Sequence, residues 1–438
     1  MYIVPFSAFI EAFAILSSKV SLHCICKTPT LITHMPSNGC LMEHFPVFGE
    51  SGPVAHSESS TLDSPDSDNY FKHRPLDTSR KDIRLLQIIP DAATGISCTI
   101  AHYDIGSCPA YIALSYTWGS PTPRHVIGIN AKGFEVGDNL YRFLLKYQAS
   151  QRVNPIYEKG FRVKYLWIDQ ICIDQERVEE RNHQVRLMSS IYQQAAGVIT
   201  WLGSPNCSNN IAMKAIKEAI ATIEYLPFQY KDRFTKQFNE EERRELEIFL
   251  SHPYWRRVWI IQEIVLASSI WIYTGEAYLE WAEFVRFCKI AQADRYWIPP
   301  CIEWLITNAQ RRTKFSMFHM IKGLWGNECQ EPRDKIYGLQ GIVIERDKMT
   351  VDYSLSVKEI FLNAAIIMMG EENEKPKRQD FVYCLLDLGQ EMGLNCESLN
   401  DEFLHVYTKY LHRRRSMGGG FLSIIEAKQL LRKLLVLD

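Results

Sequence analysis

No excess of either charge marks this chain: its 438 residues carry 49 Lys and Arg against 51 Asp and Glu, a net charge of -2. A general drive toward nucleic acid or an anionic membrane is therefore not expected, and the basic cluster His412–Arg415 reads as solvated surface. No CxxC pair, HExxH sequence or Cys/His quartet at zinc-ligand spacing is present, so no structural metal is expected. The twelve cysteines are scattered along a chain large enough to need no staples, which predicts reduced thiols. Absence of GxxxxGK[ST] removes support for P-loop nucleotide hydrolysis, and absence of an internal repeat argues against solenoids and propellers. Uninterrupted apolar runs of spanning length are also missing. The apolar segment Tyr2–Leu22 contains Glu11 and lacks a basic start, so neither a signal peptide nor a membrane span is expected, and the protein is expected in the cytoplasm. In that setting the sequon at Asn206 carries no information.

What is present is ample core material, 46% hydrophobic and 12% aromatic. Ser, Pro and Asp dominate Ser51–Asn69, so residues 1–69 read as a poorly ordered leader. GESGP at Gly49–Pro53 falls inside it and is dismissed as a nucleophile loop. Residues 70–275 read as an α/β domain, 276–380 as a helical region and 381–438 as a tail of uncertain order.

The most informative unit is Tyr165–Gly203, read as β-α-β. Tyr165–Ile173 is apolar and β-branched, as in a strand covered on both faces. Asp174 is placed as N-cap of the following helix, and Glu176 complements its dipole. Val178, Val185, Met188, Tyr192 and Ala195 form its apolar stripe, leaving Arg177, Glu180, Arg186 and Gln193 for other faces. Gly197 ends the helix and Val198–Leu202 starts the next strand.

Upstream, Ile83–Ile89, Ser97–Tyr103, Tyr111–Trp118 and Val126–Ile129 read as strands, and Val136–Tyr147 as a helix. Downstream, Asn210–Leu226 reads as a helix and Lys231–Glu247 as an exposed helix or loop. Pro253 opens a helix that runs to Ala267, Ile270–Thr274 is a strand, and Tyr278–Ala291 is helical. The implied architecture is a mostly parallel sheet with flanking helices, followed by a predominantly helical C-terminal region.

Within the helix after Pro253, Trp255, Val258, Trp259, Gln262 and Leu266 share a face, with Glu263 at its edge and Arg256 two turns earlier. A buried carboxylate there has to be paired, protonated or facing a cavity. Two readings stand: an ion pair with an arginine, or a catalytic or ligand-binding carboxylate of raised pKa. Asp169 sits toward the C-terminal end of its strand, where open α/β sheets form ligand crevices. Ser115 and Tyr116 reach the same edge if the two strands are parallel; taken alone they read as packing and turn residues.

YIALSYTWG at Tyr111–Gly119, LWIDQICIDQ at Leu166–Gln175, the ER..QV..M..IY pattern from Glu180 and YWRRVWIIQE at Tyr254–Glu263 together resemble the fungal heterokaryon-incompatibility (HET) domain. EPRDKIYGLQGI at Glu331–Ile342 and VDYS at Val351–Ser354 are similar to the segment that commonly follows it. Asp174 stands where the family often has Asn. The resemblance implies a cytoplasmic role in non-self recognition, triggering regulated cell death after fusion of incompatible hyphae.

A more distant resemblance is to Toll/interleukin-1 receptor (TIR) domains, and it implies a TIR- or flavodoxin-like sheet. The strand ending in Ser115 and Tyr116 resembles their opening strand, and WIIQEIV at Trp259–Val265 is similar to their WxxxE helix. That resemblance implies Glu263 as catalytic residue of an NAD glycohydrolase. Ser115, Tyr116, Trp118, Asp169 and Trp259 would line the substrate site, with NAD as substrate, no cofactor and no metal. Activation would then need self-association or a separate sensor protein. The alternative is a non-enzymatic module that recruits death-signalling partners.

Overall fold

The computed structural model describes residues 69–394, except 91–94, 154–162, 204–206, 226–237, 276, 294–296, 310–312, 325 and 370–377. The leader, His412–Arg415 and most of the tail lie outside the described residues.

Strand-forming runs build one nine-stranded sheet: β1 Asp82–Ile88, β2 Ser97–Asp104, β3 Tyr111–Tyr116, β4 Arg124–Ile129, β5 Lys132–Gly137, β6 Tyr165–Trp167, β7 Gly197–Trp201, β8 Ile270–Thr274 and β9 Ala277–Glu280. Their spatial order is β5-β4-β2-β1-β6-β3-β7-β8-β9. Four of the eight pairings are parallel and four antiparallel. The sheet is thus mixed rather than mostly parallel, because antiparallel hairpins extend both ends of the parallel centre β6-β3-β7-β8.

All six residues of β3 and all five of β7 are buried, as expected for strands with helices on both faces. Their two-residue period sorts side chains into two cores. Tyr111, Ala113 and Val198 join the larger core, whereas Ile112, Leu114, Tyr116, Ile199 and Trp201 join the smaller one. Helix α1, Asp138–Val153, closes the smaller core with Leu140, Phe143, Leu144 and Tyr147.

The larger core is covered by α2, Val178–Gln194, α3, Cys207–Tyr225, α4, Glu240–Leu250, and α5, Ile260–Val265. It continues without interruption through α6, Trp281–Ala293, α7, Pro300–Asn308, α8, Met317–Leu324, α9, Val357–Met369, and α10, Arg378–Glu391. The same cluster therefore runs from Ile83 to Met392, and the described residues belong to one compact unit.

Several local expectations are corrected. The run Tyr165–Ile173 leaves the sheet after Trp167, because Asp169–Cys172 forms a single helical turn. Apolar pattern alone does not separate a short buried strand from a buried turn. Helix α2 starts at Val178 with Arg177 before it, and the Asp174 carboxylate accepts from the Glu176 N–H at 3.3 Å, outside the helix, so it does not cap that helix. Val178 is exposed, while Glu180, expected on an outer face, is 2% exposed. The segment after Pro253 divides into a 3-10 turn, Pro253–Arg256, and the short α5, with extended Arg257 between them. Tyr278 lies in β9, not in a helix. Of the charged run at 231–247, residues from 240 onward form α4 behind an Asn239/Glu242 capping box.

Glu180 is buried because Arg84 of β1 meets it with two hydrogen bonds, Nη1 to Oε1 at 2.5 Å and Nη2 to Oε2 at 2.9 Å. Arg84 Nη1 also donates to the Cys172 carbonyl at 2.9 Å, and the Asp174 N–H donates to Glu180 Oε1 at 2.7 Å. This pair fixes α2 against the sheet and holds the Asp169–Cys172 turn between them.

Candidate active site

Parallel pairing of β3 with β6 and with β7 brings three strand ends to one edge of the sheet. Ser115, Thr117 and Trp118 leave β3 there, Asp169 follows β6, and Thr200 lies near the end of β7. The chain passes from β3 to β6 on one side, then to β7 on the other. Such a reversal of strand order leaves a crevice outside the carboxyl ends of the strands. Gly119, with φ +76°, turns the chain away from β3 at its rim.

Glu263 reaches this edge from α5, behind the larger-core face of β3. Ser115 Oγ donates to Glu263 Oε2, lies 2.6 Å from the Tyr254 hydroxyl, and Tyr254 in turn lies 3.0 Å from Thr200 Oγ1. A serine hydroxyl has one proton. With that proton given to the carboxylate, Tyr254 donates to Ser115 and Thr200 to Tyr254, so the chain of hydroxyls points at Glu263. Arg257 Nη1 stands 3.8 Å from Glu263 Oε2, too far for a hydrogen bond, and has no hydrogen-bond partner among the described residues.

Glu263 is 2% exposed on its side chain and Arg257 20%, so the carboxylate sits at the base and the guanidinium nearer the opening. Burial pushes Glu263 above the usual carboxylate range, opposed by Arg257 and the Ser115 hydrogen bond and reinforced by Asp169. Asp169 is raised too, again by burial, with Arg257 and a 3.0 Å bond from Trp118 Nε1 opposing.

These groups open into a cleft of about 600 Å³. Trp118, Asp169, Trp259 and Glu263 line it, as the sequence reading grouped them. Ser115 lies beneath, touching Glu263 rather than the cleft. Tyr116 is not among the lining residues: its ring belongs to the smaller core and its hydroxyl donates to Gln170 Oε1 at 3.0 Å. Of the two readings of Glu263, the one that pairs it with an arginine finds that arginine in Arg257, at 3.8 Å, and not in Arg256, its neighbour by helical angle. Arg256 pairs instead with Glu328 at 3.3 Å, because the chain is extended at Arg257 and the helical angle count fails across it.

The far wall comes from residues 328–353. Asp334 accepts from Trp259 Nε1 at 3.0 Å and from the Tyr353 hydroxyl at 2.5 Å, and burial pushes its carboxyl up to about 6. This wall is tied directly to the Glu263 side: the Val258 N–H donates to the Glu328 carbonyl at 2.9 Å, and the Glu328 N–H to the Arg256 carbonyl at 2.5 Å. Sequence reasoning placed Asp334 and Tyr353 in quoted motifs but not in the site, and it missed Tyr254, Arg257 and Arg181.

Gly341 shows how closely this segment abuts α5. A Cβ there would lie 2.4 Å from Gln262 Oε1 and 3.0 Å from Ser189 Cβ. Gly341→Ala is therefore expected to cost about 1–3 kcal/mol through overpacking. Urea unfolding of the full chain checks it, and an unchanged midpoint would show that the contact relaxes freely.

Among the described residues no group of three or more His, Cys, Asp or Glu side chains is placed to hold a metal ion. The described cysteines are free. No helix among them is long and apolar enough to cross a membrane.

Residues 111–263 match the family described as heterokaryon incompatibility protein (HET). The chain carries a HET domain. The match opens on the first residue of β3 and closes on Glu263, so it contains the sheet edge and the buried carboxylate but not the wall at 328–353. A curated relative, heterokaryon incompatibility protein 6, OR allele, from Neurospora crassa, is 24% identical over 397 residues. The aligned part is 74% of this chain and 57% of the relative, so the chain spans little more than half of that protein's length. No solved structure matches the chain.

Proposed function

We propose that the HET domain hydrolyses the nicotinamide–ribose bond of NAD, and that this activity triggers regulated cell death in fungal non-self recognition. The observation that carries the proposal is Glu263, 2% exposed yet lining the base of a cleft at the sheet's strand-order reversal, with Ser115 donating to it. The four central parallel strands add support: numbered by their order in the chain they run 2-1-3-4, as in flavodoxin-like sheets. The name of the Neurospora relative supports the biological context.

Cleavage develops positive charge at the ribose carbon, and a fixed carboxylate in a water-poor site stabilises it. Nicotinamide departs with the bonding pair and becomes neutral. Water adds to the ribose carbon and loses a proton, giving ADP-ribose, nicotinamide and a proton. No general acid is needed, which suits a site whose second carboxylate, Asp169, is occupied by Trp118.

The test is NAD content after inducing the full chain in a heterologous host beside Glu263→Gln. Collapse with the parent alone is the expected result. Cell death at constant NAD in both would favour a recruitment module in which Arg257 and Glu263 are a structural ion pair. Activation by self-association or by a separate sensor belongs to the same proposal.

A further inference from the structure

We infer that Arg181, on α2 and stacked on the far wall of the cleft, is an anion anchor and takes a phosphate group of the substrate. Arg181 lies in the first turn of α2 and lines the cleft on the same helix face as Val185 and Met188. Its guanidinium lies 4.1 Å from the centroid of the Tyr353 ring. A ring face holds a guanidinium in place without using its in-plane N–H donors.

Those donors are not consumed by carboxylates. Among the described residues Arg181 makes no side-chain hydrogen bond and no ion pair, and its Nε is buried without a partner. The acidic groups nearby are each committed elsewhere. Glu331 receives Arg333 at 2.8 and 2.9 Å, Asp334 accepts from Trp259 and Tyr353, and Glu328 pairs with Arg256. Arg181 is thus a positive group on the wall of a cavity, oriented by an aromatic ring, which feels the charges of Glu331 and Asp334 but is hydrogen-bonded to neither.

A phosphate oxygen satisfies that arrangement, since guanidinium donors match phosphate geometry. Glu263 and Arg181 line the same cleft, so a substrate that carries both a sugar and a phosphate can meet both. The assignment of that phosphate to a dinucleotide rests on the proposed NAD cleavage; the anion site itself does not.

The test is calorimetric titration of the full chain with inorganic pyrophosphate, for the parent, Arg181→Gln and Arg181→Lys, each shown folded by circular dichroism. The Gln variant is expected to bind about 10- to 100-fold more weakly, and the Lys variant to fall between. In hydrolysis assays the Gln change should raise KM for NAD while leaving nicotinamide riboside, which has no phosphate, unaffected. Equal pyrophosphate affinity in parent and Gln variant, or no binding by the parent, overturns the anchor. Arg181-dependent binding without NAD cleavage would sustain the anchor and defeat the hydrolase; cleavage with an unchanged KM in the Gln variant would do the reverse.

Discussion

Arg84→Ala should destabilise the protein by about 3–5 kcal/mol, the usual cost of leaving one member of a buried ion pair alone. Glu180 would lose both hydrogen bonds from Arg84 while remaining 2% exposed, and the Cys172 carbonyl would lose its donor. Against a typical total of about 5–15 kcal/mol this is a large fraction. Replacing both partners at once, Arg84→Met with Glu180→Leu, should recover much of the loss, because no unpaired charge remains. Guanidinium unfolding of the two single variants and the double measures the cycle.

Acid should act in the same direction on the parent. Burial raises the Glu180 pKa, but Arg84 and the Asp174 N–H outweigh it and hold the group below its ordinary value of 4.5. A depressed carboxylate contributes stability that is present above 4.5 and lost as pH falls through its folded value. An additive double cycle, or a single variant as stable as the parent, would remove the pair from the list of elements that hold α2 to the sheet.

Glu263→Gln is the second large effect, an expected loss of about 10²- to 10³-fold or more in hydrolysis, the scale on which removal of one preorganised electrostatic group is felt. Gln keeps the shape and can still accept from Ser115, so folding should survive. The parent's own pH profile carries independent information. Around Glu263 stand Arg257, Asp169, Tyr192 and Tyr254, with Ser115 bonded to it, and burial dominates to raise its pKa. Since the ionised form is the one that stabilises the ribose cation, activity should fall on acidification, beginning above the ordinary glutamate value of 4.5. A profile flat down to pH 4.5 would show that no raised carboxylate is needed.

The strands were legible where composition and period agreed. Ile270–Thr274 emerged as read, and the strand read over Tyr111–Trp118 emerged with its end two residues earlier, at Tyr116, because β-branched and aromatic runs of that length bounded by turn residues have few alternatives. The antiparallel flanks were less legible, since pairing partners depend on distant segments: β1 meets β6 at Leu86 and Leu166, far apart in the chain. Parallel pairing of β3 with β6 fulfilled the condition under which Ser115 and Asp169 share an edge.

Glu263 was legible as a buried carboxylate from its neighbours Ile261, Ile264 and Val265. Its partner was not, because one extended residue at Arg257 shifts the angular phase of everything before it. Helical periodicity cannot report such a break. The far wall was beyond local reading altogether: Asp334 and Tyr353 meet Trp259 only through tertiary packing, and nothing in EPRDKIYGL or VDYS announces that contact.

Nicotinamide release from NAD by the purified full chain, followed by chromatography beside Glu263→Gln, tests the central claim most directly. The parent should release nicotinamide and ADP-ribose in equal amounts, with the variant near background and equally folded. Release by Glu263→Gln at the parent's rate, or none from a folded, self-associated parent, would contradict it.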